Sequence, residues 1–361
     1  MTQAALNNAF NTPRPHVALD GDVDPALAQG LLSMVINEDT EGLYCCEATF
    51  GNWGTTDGTA GFLYFDRNVF NFGRRLSIDV GDENSPMEIF NGRITALEGR
   101  FPQQSPAELL ILAEDNLQDL RMVRRSRSFD NNSVSDIIST IANEHGLDAE
   151  VDVSGPQYPV LTQVNQSDLA FIRQCARDVD AEIWIQDGVL HAQQRTRRRR
   201  DEVTLTFGQA LFEFSVTADL AQQRTSLVVN GWDVERKEAI SHSADSSILQ
   251  NELNGGSSGG QLLNDVFGER KDSVVHQISS SAIEAQHAAE AGYRRIARRF
   301  LTGQGIAEGN GLIRAGTHLQ LEDLGPLFSG SYYVTEVTHI FDQEKGYRTF
   351  FQVERPGLGA N

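Results

Sequence analysis

Three cysteines in 361 residues exclude a disulfide framework: Cys45, Cys46 and Cys175 are odd in number, and their spacing matches no metal site. In a strand the neighbours Cys45 and Cys46 would point to opposite faces, and Cys175 falls within a helical pattern. All three read as packing residues of a protein kept in a reducing compartment. Long apolar runs are missing too, none approaching the ~20 residues a membrane-spanning helix needs. Residues 1–9 lack the basic region and apolar core of a signal peptide. The expectation is a soluble chain made in the cytoplasm, without stable membrane insertion. Basic charge is also scarce: 30 Lys and Arg stand against 50 Asp and Glu, a formal net charge of −20. Residues 1–120 sum to −12, 121–200 to zero and 201–361 to −8. No nucleic-acid binding is expected, since that needs cations to displace counterions from phosphates.

Catalytic patterns are absent as well. The eight histidines include no pair at the helical zinc spacing with Glu between them. His318 and His339 fall in the last β region and read as cross-strand or surface residues. No nucleophile elbow, P-loop or dinucleotide fingerprint occurs, and Gly303-Gln304-Gly305 follows a helix, the wrong context for phosphate. Glu182 with Asp187, and Glu322 with Asp323, fall at strand edges and turns, where carboxylates serve solubility and turn formation. No catalytic, cofactor-binding or metal-binding residue is expected, and the chain is not expected to be an enzyme.

What is present is an ordinary globular composition, 40% hydrophobic and 22% charged, long enough for two or three cores. The most ordered stretch runs from Gln157 to His191. It reads as a strand, a helix capped by Ser167 with Asp168 at its positive end, and a hairpin. Leu169, Ile172, Ala176 and Val179 mark the apolar helix face. Ala181 to Gln186 alternates as a half-buried strand, with Ile183 and Trp184 on opposite faces, one in the core and one tolerant of change. Asp187-Gly188 is a favoured hairpin turn.

Residues 1–15 read as a flexible arm and 16–119 as a first small β-barrel. Its short strands include 62–65, 75–80, 87–90, 93–97 and 108–113. A compact α/β middle domain follows over 120–202, with a helix capped by Ser133 and Asp136 and closed by Gly146. Residues 203–361 read as a second barrel that includes a strand at 227–232. It is interrupted at about 241–304 by a flexible Gly/Ser loop (254–260) and a helix opened by a Ser281/Glu284 capping box. The fold class is therefore β-rich α+β.

The run Gln163-Val164-Asn165-Gln166-Ser167-Asp168-Leu169-Ala170-Phe171-Ile172, followed by the Trp184/Asp187-Gly188/Leu190 hairpin, resembles the phage late control protein D family. That family comprises tail hubs of contractile phages and the hub part of VgrG-type spikes. The run Arg121 to Phe129 with Ser133 to Gly146, and the end from Gly330 to His339 closing on Gly346-Tyr347-Arg348-Thr349, fit the same pattern. The resemblance covers roughly 60–355 and implies two similar barrels per chain. An internal pattern agrees: Gly73 to Ile78 aligns with Gly316 to Leu321, and Phe90-Asn91-Gly92 with Phe328-Ser329-Gly330. Small barrels share such turns anyway, so the pattern alone leaves duplication open.

The resemblance implies a structural baseplate hub: a homotrimeric ring matching a six-fold inner tube to a three-fold spike, with baseplate wedge proteins around it. The chain stops soon after its last strand, so the spike is expected to be a separate protein. The assembled particle would be a phage tail, virion or released injection system. A cell-wall-binding or cell-wall-degrading tail component is the alternative. One basic cluster, Arg195, Arg197, Arg198, Arg199 and Arg200, stands out in an acidic chain. It reads as an assembly interface docking on an acidic partner or neighbouring subunit, or as a solvated linker, rather than a nucleic-acid tract.

Overall fold

A computed structural model describes residues 14–56, 58–81, 86–198, 202–233, 236–253 and 255–359. Most of the expected arm over 1–15 lies outside the described residues. The first β region consists of β1 (His16–Leu19), β2 (Leu31–Asp39), β3 (Cys45–Gly51), β4 (Arg75–Val80), β5 (Met87–Arg100) and β6 (Glu108–Glu114). Strands β2 and β3 are absent from the sequence reading, yet Leu31, Met34, Ile36, Cys46, Ala48 and Phe50 are all buried in the first core. Residues 62–65, expected as a strand, form a loop instead. The buried Asn52 fixes it by accepting from the backbone N–H groups of Leu63 (2.8 Å) and Tyr64 (2.7 Å).

The middle unit contains β7 (Arg124–Ser133), α1 (Val134–Glu144), β8 (Ala149–Asp152), β9 (Gln157–Ser167), α2 (Asp168–Asp178), β10 (Ala181–Gln186) and β11 (Val189–Gln194). Helix α1 begins with the capping box Ser133/Asp136, and Gly146 follows its end at φ +67°. The apolar stripes of α1 and α2 pack over β10 and β11 in a separate core.

The last region contributes β12 (Glu202–Thr206) and β13 (Leu211–Ala218). An inserted unit follows: β14 (Ser226–Asp233), β15 (Glu238–Asp245), α3 (Gly259–Phe267), β16 (Lys271–Ser279) and α4 (Ala282–Arg298). The chain then returns as β17 (Leu301–Glu308), β18 (His318–Glu322), β19 (Gly330–Asp342) and β20 (Gly346–Arg355). Residues 227–232 pair only with β15 and β16, so the insertion starts earlier than 241 and carries its own core beneath α4. The glycine-rich stretch is not simply loop. Ser258 and Gln261 form a capping box opening α3, and a Cβ on Gly259 would lie 2.6 Å from the Phe300 ring. At α4, Ser281 accepts from the Glu284 N–H, but the Glu284 carboxylate reaches Ser280 rather than closing a box on Ser281.

Among the described residues, both β regions belong to one thirteen-stranded sheet, whose thirteenth strand is the short Asp22–Val23 beside β1. Its halves repeat one another. The first half pairs in the order β1-β4-β5-β6-β3-β2 and the second in the order β12-β18-β19-β20-β17-β13, the same order along the chain. Each half has a bulge at matching places: Thr95 in β5 and Thr335 in β19, then Leu32 in β2 and Phe212 in β13. Thr95 and Thr335 even make the same bond, each hydroxyl donating over 3.3 Å across the bulge, to the carbonyls of Leu112 and Gln352. Gly73 N–H bonds Ile94 O as Gly316 N–H bonds Val334 O. The register pairs Leu76 with Gly92 and Leu319 with Tyr332, so Gly92 corresponds to Tyr332, not to Gly330 as the sequence pattern aligns it. Phe328 sits in a short helical turn before its strand, whereas Phe90 lies inside β5. The first strands differ, β1 running antiparallel to β4 and β12 parallel to β18.

Candidate assembly interface

The two halves meet where β2 pairs antiparallel with β19, from Asp39 opposite Glu336 to Ser33 opposite Asp342. Side chains reinforce the seam. Arg314 pairs with the buried Glu38 and also donates to Ile89 O (3.1 Å), while the Thr338 hydroxyl donates to Asn37 Oδ1 (2.9 Å). Phe341, from the second half, is only 3% exposed because it sits in the first half's core. His339 is wholly buried with Nδ1 2.7 Å from the Tyr347 hydroxyl. Burial, together with the Arg314 charge, lowers its pKa to about 3 and keeps the ring neutral. His339 is thus a core residue of the seam and not a surface one.

The arginine run lies beside this seam, and its members divide. Arg198 is 1% exposed. Its guanidinium donates to Glu182 Oε2 (2.8 Å) and Ala315 O (2.7 Å) and stacks 3.9 Å from the Trp184 ring centroid. Although burial opposes the charge, Tyr333 and Glu182 raise the pKa of Arg198 overall. Gly316 (φ +90°) makes room for it, since a Cβ there would lie 2.3 Å from Arg198 Nε. Arg195 pairs with Glu354 and lies 3.8 Å over the Tyr333 ring. Tyr333 in turn donates to Glu182 Oε2 (2.5 Å). The expectation that the whole run faces a partner is corrected for these two residues, which join the middle unit to the second half within the chain. Arg197 is half exposed and pairs with the exposed Asp152 (2.7 Å). Arg199 and Arg200 lie outside the described residues.

Glu182 corrects the sequence reading: it is a buried acceptor at the meeting point of β10 and β19, not a solubility residue. Ile183 and Trp184 do point to opposite faces, but both are buried, Ile183 in the middle core and Trp184 in the first core. The expected tolerant face is lost because β10 is sandwiched between two units. The inserted unit is fixed in the same way, Arg298 spanning Asp180 (2.5 Å) on the middle unit and Glu252 (2.7 Å) in the insertion.

Asp168, expected as a helix-dipole charge, does more. It is buried and accepts from Arg127 (2.9 Å), Gln163 (2.9 Å) and His145 (2.9 Å). Burial works against its ionisation, but the hydrogen bonds of His145 and Gln163 and the charges of Arg127 and Arg125 outweigh it and hold the carboxyl below its usual range. Asp168 of the sequence run, hydrogen-bonded by Gln163 and paired with Arg127 and Arg125, is therefore the ionic anchor of the middle unit.

Among the unpartnered strand edges of the described residues are the β4-side edge of β5 beyond Ile94 and the outer edge of β13. Among the described residues, no group of three His, Cys, Asp or Glu side chains forms a metal site. No helix there is long and apolar enough to cross a membrane.

The 43 kDa tail protein of prophage MuSo2 from Shewanella oneidensis has a similar structure: TM-score 0.70 at 12% identity, over 95% of this chain and 98% of that one. The c3393 protein of E. coli is a component of the type VI secretion system with structural similarity to the T4 bacteriophage tail proteins gp27 and gp5. It aligns with TM-score 0.61 at 13% identity, over 96% of this chain and 79% of that one. A chain of the Francisella PdpA–VgrG complex aligns with TM-score 0.53 at 9% identity, over 98% of this chain and 60% of that one. No curated protein matches the sequence significantly. A family model described as "Alg8 N-terminal domain" matches residues 54–343. The chain belongs to that Alg8 N-terminal domain family, and its fold is that of phage tail and baseplate hub-like proteins.

Proposed function

We propose that this chain is the structural hub of a contractile phage tail or injection system, a homotrimer that adapts a six-fold inner tube to a three-fold spike and catalyses no reaction. The observation that carries the reading is the duplicated half-sheet: three copies offer six nearly alike units on one face while keeping three-fold symmetry. On this reading 16–119 and 203–359 act as two barrel-like units, and the middle unit over 120–202 and the insertion brace them from outside. The partners are an inner tube protein, a separate spike protein and baseplate wedge proteins. Of the arginine run, Arg197 with Arg199 and Arg200 is assigned to docking on an acidic neighbour.

Light scattering on the purified chain is expected to give three times the 39.8 kDa monomer mass. Labelled chain is expected at the baseplate end of imaged tail particles. A monomer that is retained on purified cell wall and missing from particles would overturn the hub reading in favour of the cell-wall alternative.

A further inference from the structure

The two halves match residue by residue, so the seam inside the chain specifies a second seam. Ile94 corresponds to Val334, which maps the β19 residues Glu336 to Phe341 onto Ala96 to Phe101. Leu31 corresponds to Leu211, which maps the β2 residues Ser33 to Asp39 onto Glu213 to Asp219. Within the chain, the first of these segments pairs with the second. Their counterparts, the far half of β5 and the strand β13, are both unpartnered among the described residues. They belong to opposite halves, so each is filled when the edge of one copy meets the other edge of the next.

Exposure points the same way. Phe341 is 3% exposed, because the other half covers it, whereas its counterpart Phe101 is 69% exposed. Ala315 is fully buried at the seam, whereas its counterpart Phe72 is 54% exposed. Phe101 also packs against Phe65 (5.3 Å, tilted) and Phe62 (6.2 Å, edge to face), and Phe62 against Trp53 (5.4 Å, edge to face), which extends the aromatic surface. Phe62 and Trp53 are exposed, an unusual cost for a lone chain. The facing edge, Leu211 to Ala218, is eight residues long with one charged side chain, Glu213. It is the kind of edge that pairs with another strand unless protected.

We infer that the occupant of both edges is a second copy of this chain, added antiparallel in a fixed register: Ala96 opposite Asp219, Glu98 opposite Thr217, Arg100 opposite Ser215, and Phe101 opposite Phe214 at the neighbour's second core. This rests on the hub reading and adds to it which strands meet and in which register. Directly opposite side chains across such a pair lie about 5 Å apart, while a displacement of four residues adds about 13 Å.

The test uses the full chain in a Cys45→Ser background, which removes the half-exposed native thiol. Glu98→Cys with Thr217→Cys is expected to link copies through a short bifunctional thiol reagent, giving covalent dimers and trimers on a denaturing gel. Glu98→Cys with Glu213→Cys, displaced by four residues, is expected to link none. All three positions are exposed, so the variants preserve the fold. Separately, Phe101→Ser is expected to weaken self-association at least about thirtyfold without lowering the thermal transition of the dilute monomer. A trimer by light scattering whose aligned pair fails to link, or whose Phe101→Ser form associates normally, overturns the register and leaves the hub reading standing. A chain that stays monomeric at all concentrations overturns both.

Discussion

Replacing Arg198 by Met tests whether the seam beside the arginine run is held by a buried ion. Methionine keeps the length and apolar stem of the side chain but removes the guanidinium. Glu182 would lose its 2.8 Å partner and retain Tyr333, with Arg195 at 4.0 Å, while the Ala315 carbonyl would lose its 2.7 Å donor. Breaking a buried pair from one side costs about 3–5 kcal/mol, chiefly from the uncompensated charge left behind. Arg197→Ser, three bonds of chain away in the same basic run, removes only an exposed pair with Asp152 and is expected to change stability by less than about 1 kcal/mol. Urea titration followed by tryptophan fluorescence reads both, since Trp184 lies directly beneath the Arg198 guanidinium. Because the described residues form four cores, the first transition is the one to compare. The double variant Arg198→Met with Glu182→Leu is expected to recover most of the loss, as a buried pair exchanged for apolar packing is often neutral. If Arg198→Met is no more damaging than Arg197→Ser, the buried charge is not what holds the seam.

Ile183→Asp and Trp184→Asp are each expected to cost a few kcal/mol in the same titration, because both side chains are in cores; one unaffected variant would contradict the sandwiched position of β10. Asp168 is held below its ordinary pKa in the folded chain, so its contribution is present above the unfolded value near 3.8 and is lost as pH falls through the lower folded value. Asp168→Asn should therefore lower stability at neutral pH and flatten the acid limb of the stability profile, and an unchanged melting temperature at pH 7 would count against the anchor. His339 stays neutral when folded and protonates near 6.5 when unfolded, so stability should decline as pH falls from 6.5 towards about 3. One proton corresponds to about 1.4 kcal/mol per pH unit, and His339→Gln should remove that slope, as measured by melting at stepped pH.

The middle unit was the most legible part of the sequence, since its signals are local: Ser133 with Asp136, the apolar face from Leu169, and the Asp187-Gly188 turn all act within a few residues. Strands β2 and β3 escaped because residues such as Cys45 and Cys46 carry no strong local strand pattern, and their burial comes from pairing with β19 and β6. The repeat was visible at Gly73 and Gly316, where both halves need the same turn, and slipped at Phe90, where a helical turn in one half changes the spacing. The roles of Glu182 and Arg198 were out of reach. A carboxylate and an arginine look solvated in sequence, and only the arrival of Ala315 and Tyr333, more than a hundred residues away, buries them.

The seam between β2 and β19 also sets a schedule. Glu38 and its strand partner Val337 are separated by nearly the whole chain. At ribosomal speeds of about 5–20 residues per second, β2 waits about 15–60 s before the strand that covers it has been made. During that interval a nine-residue strand, Leu31–Asp39, holding Leu31, Met34 and Ile36, offers one open side to any extended segment nearby. Wrong pairing at β2 is thus a hazard of the interval before β19 emerges, and it ends when the seam closes.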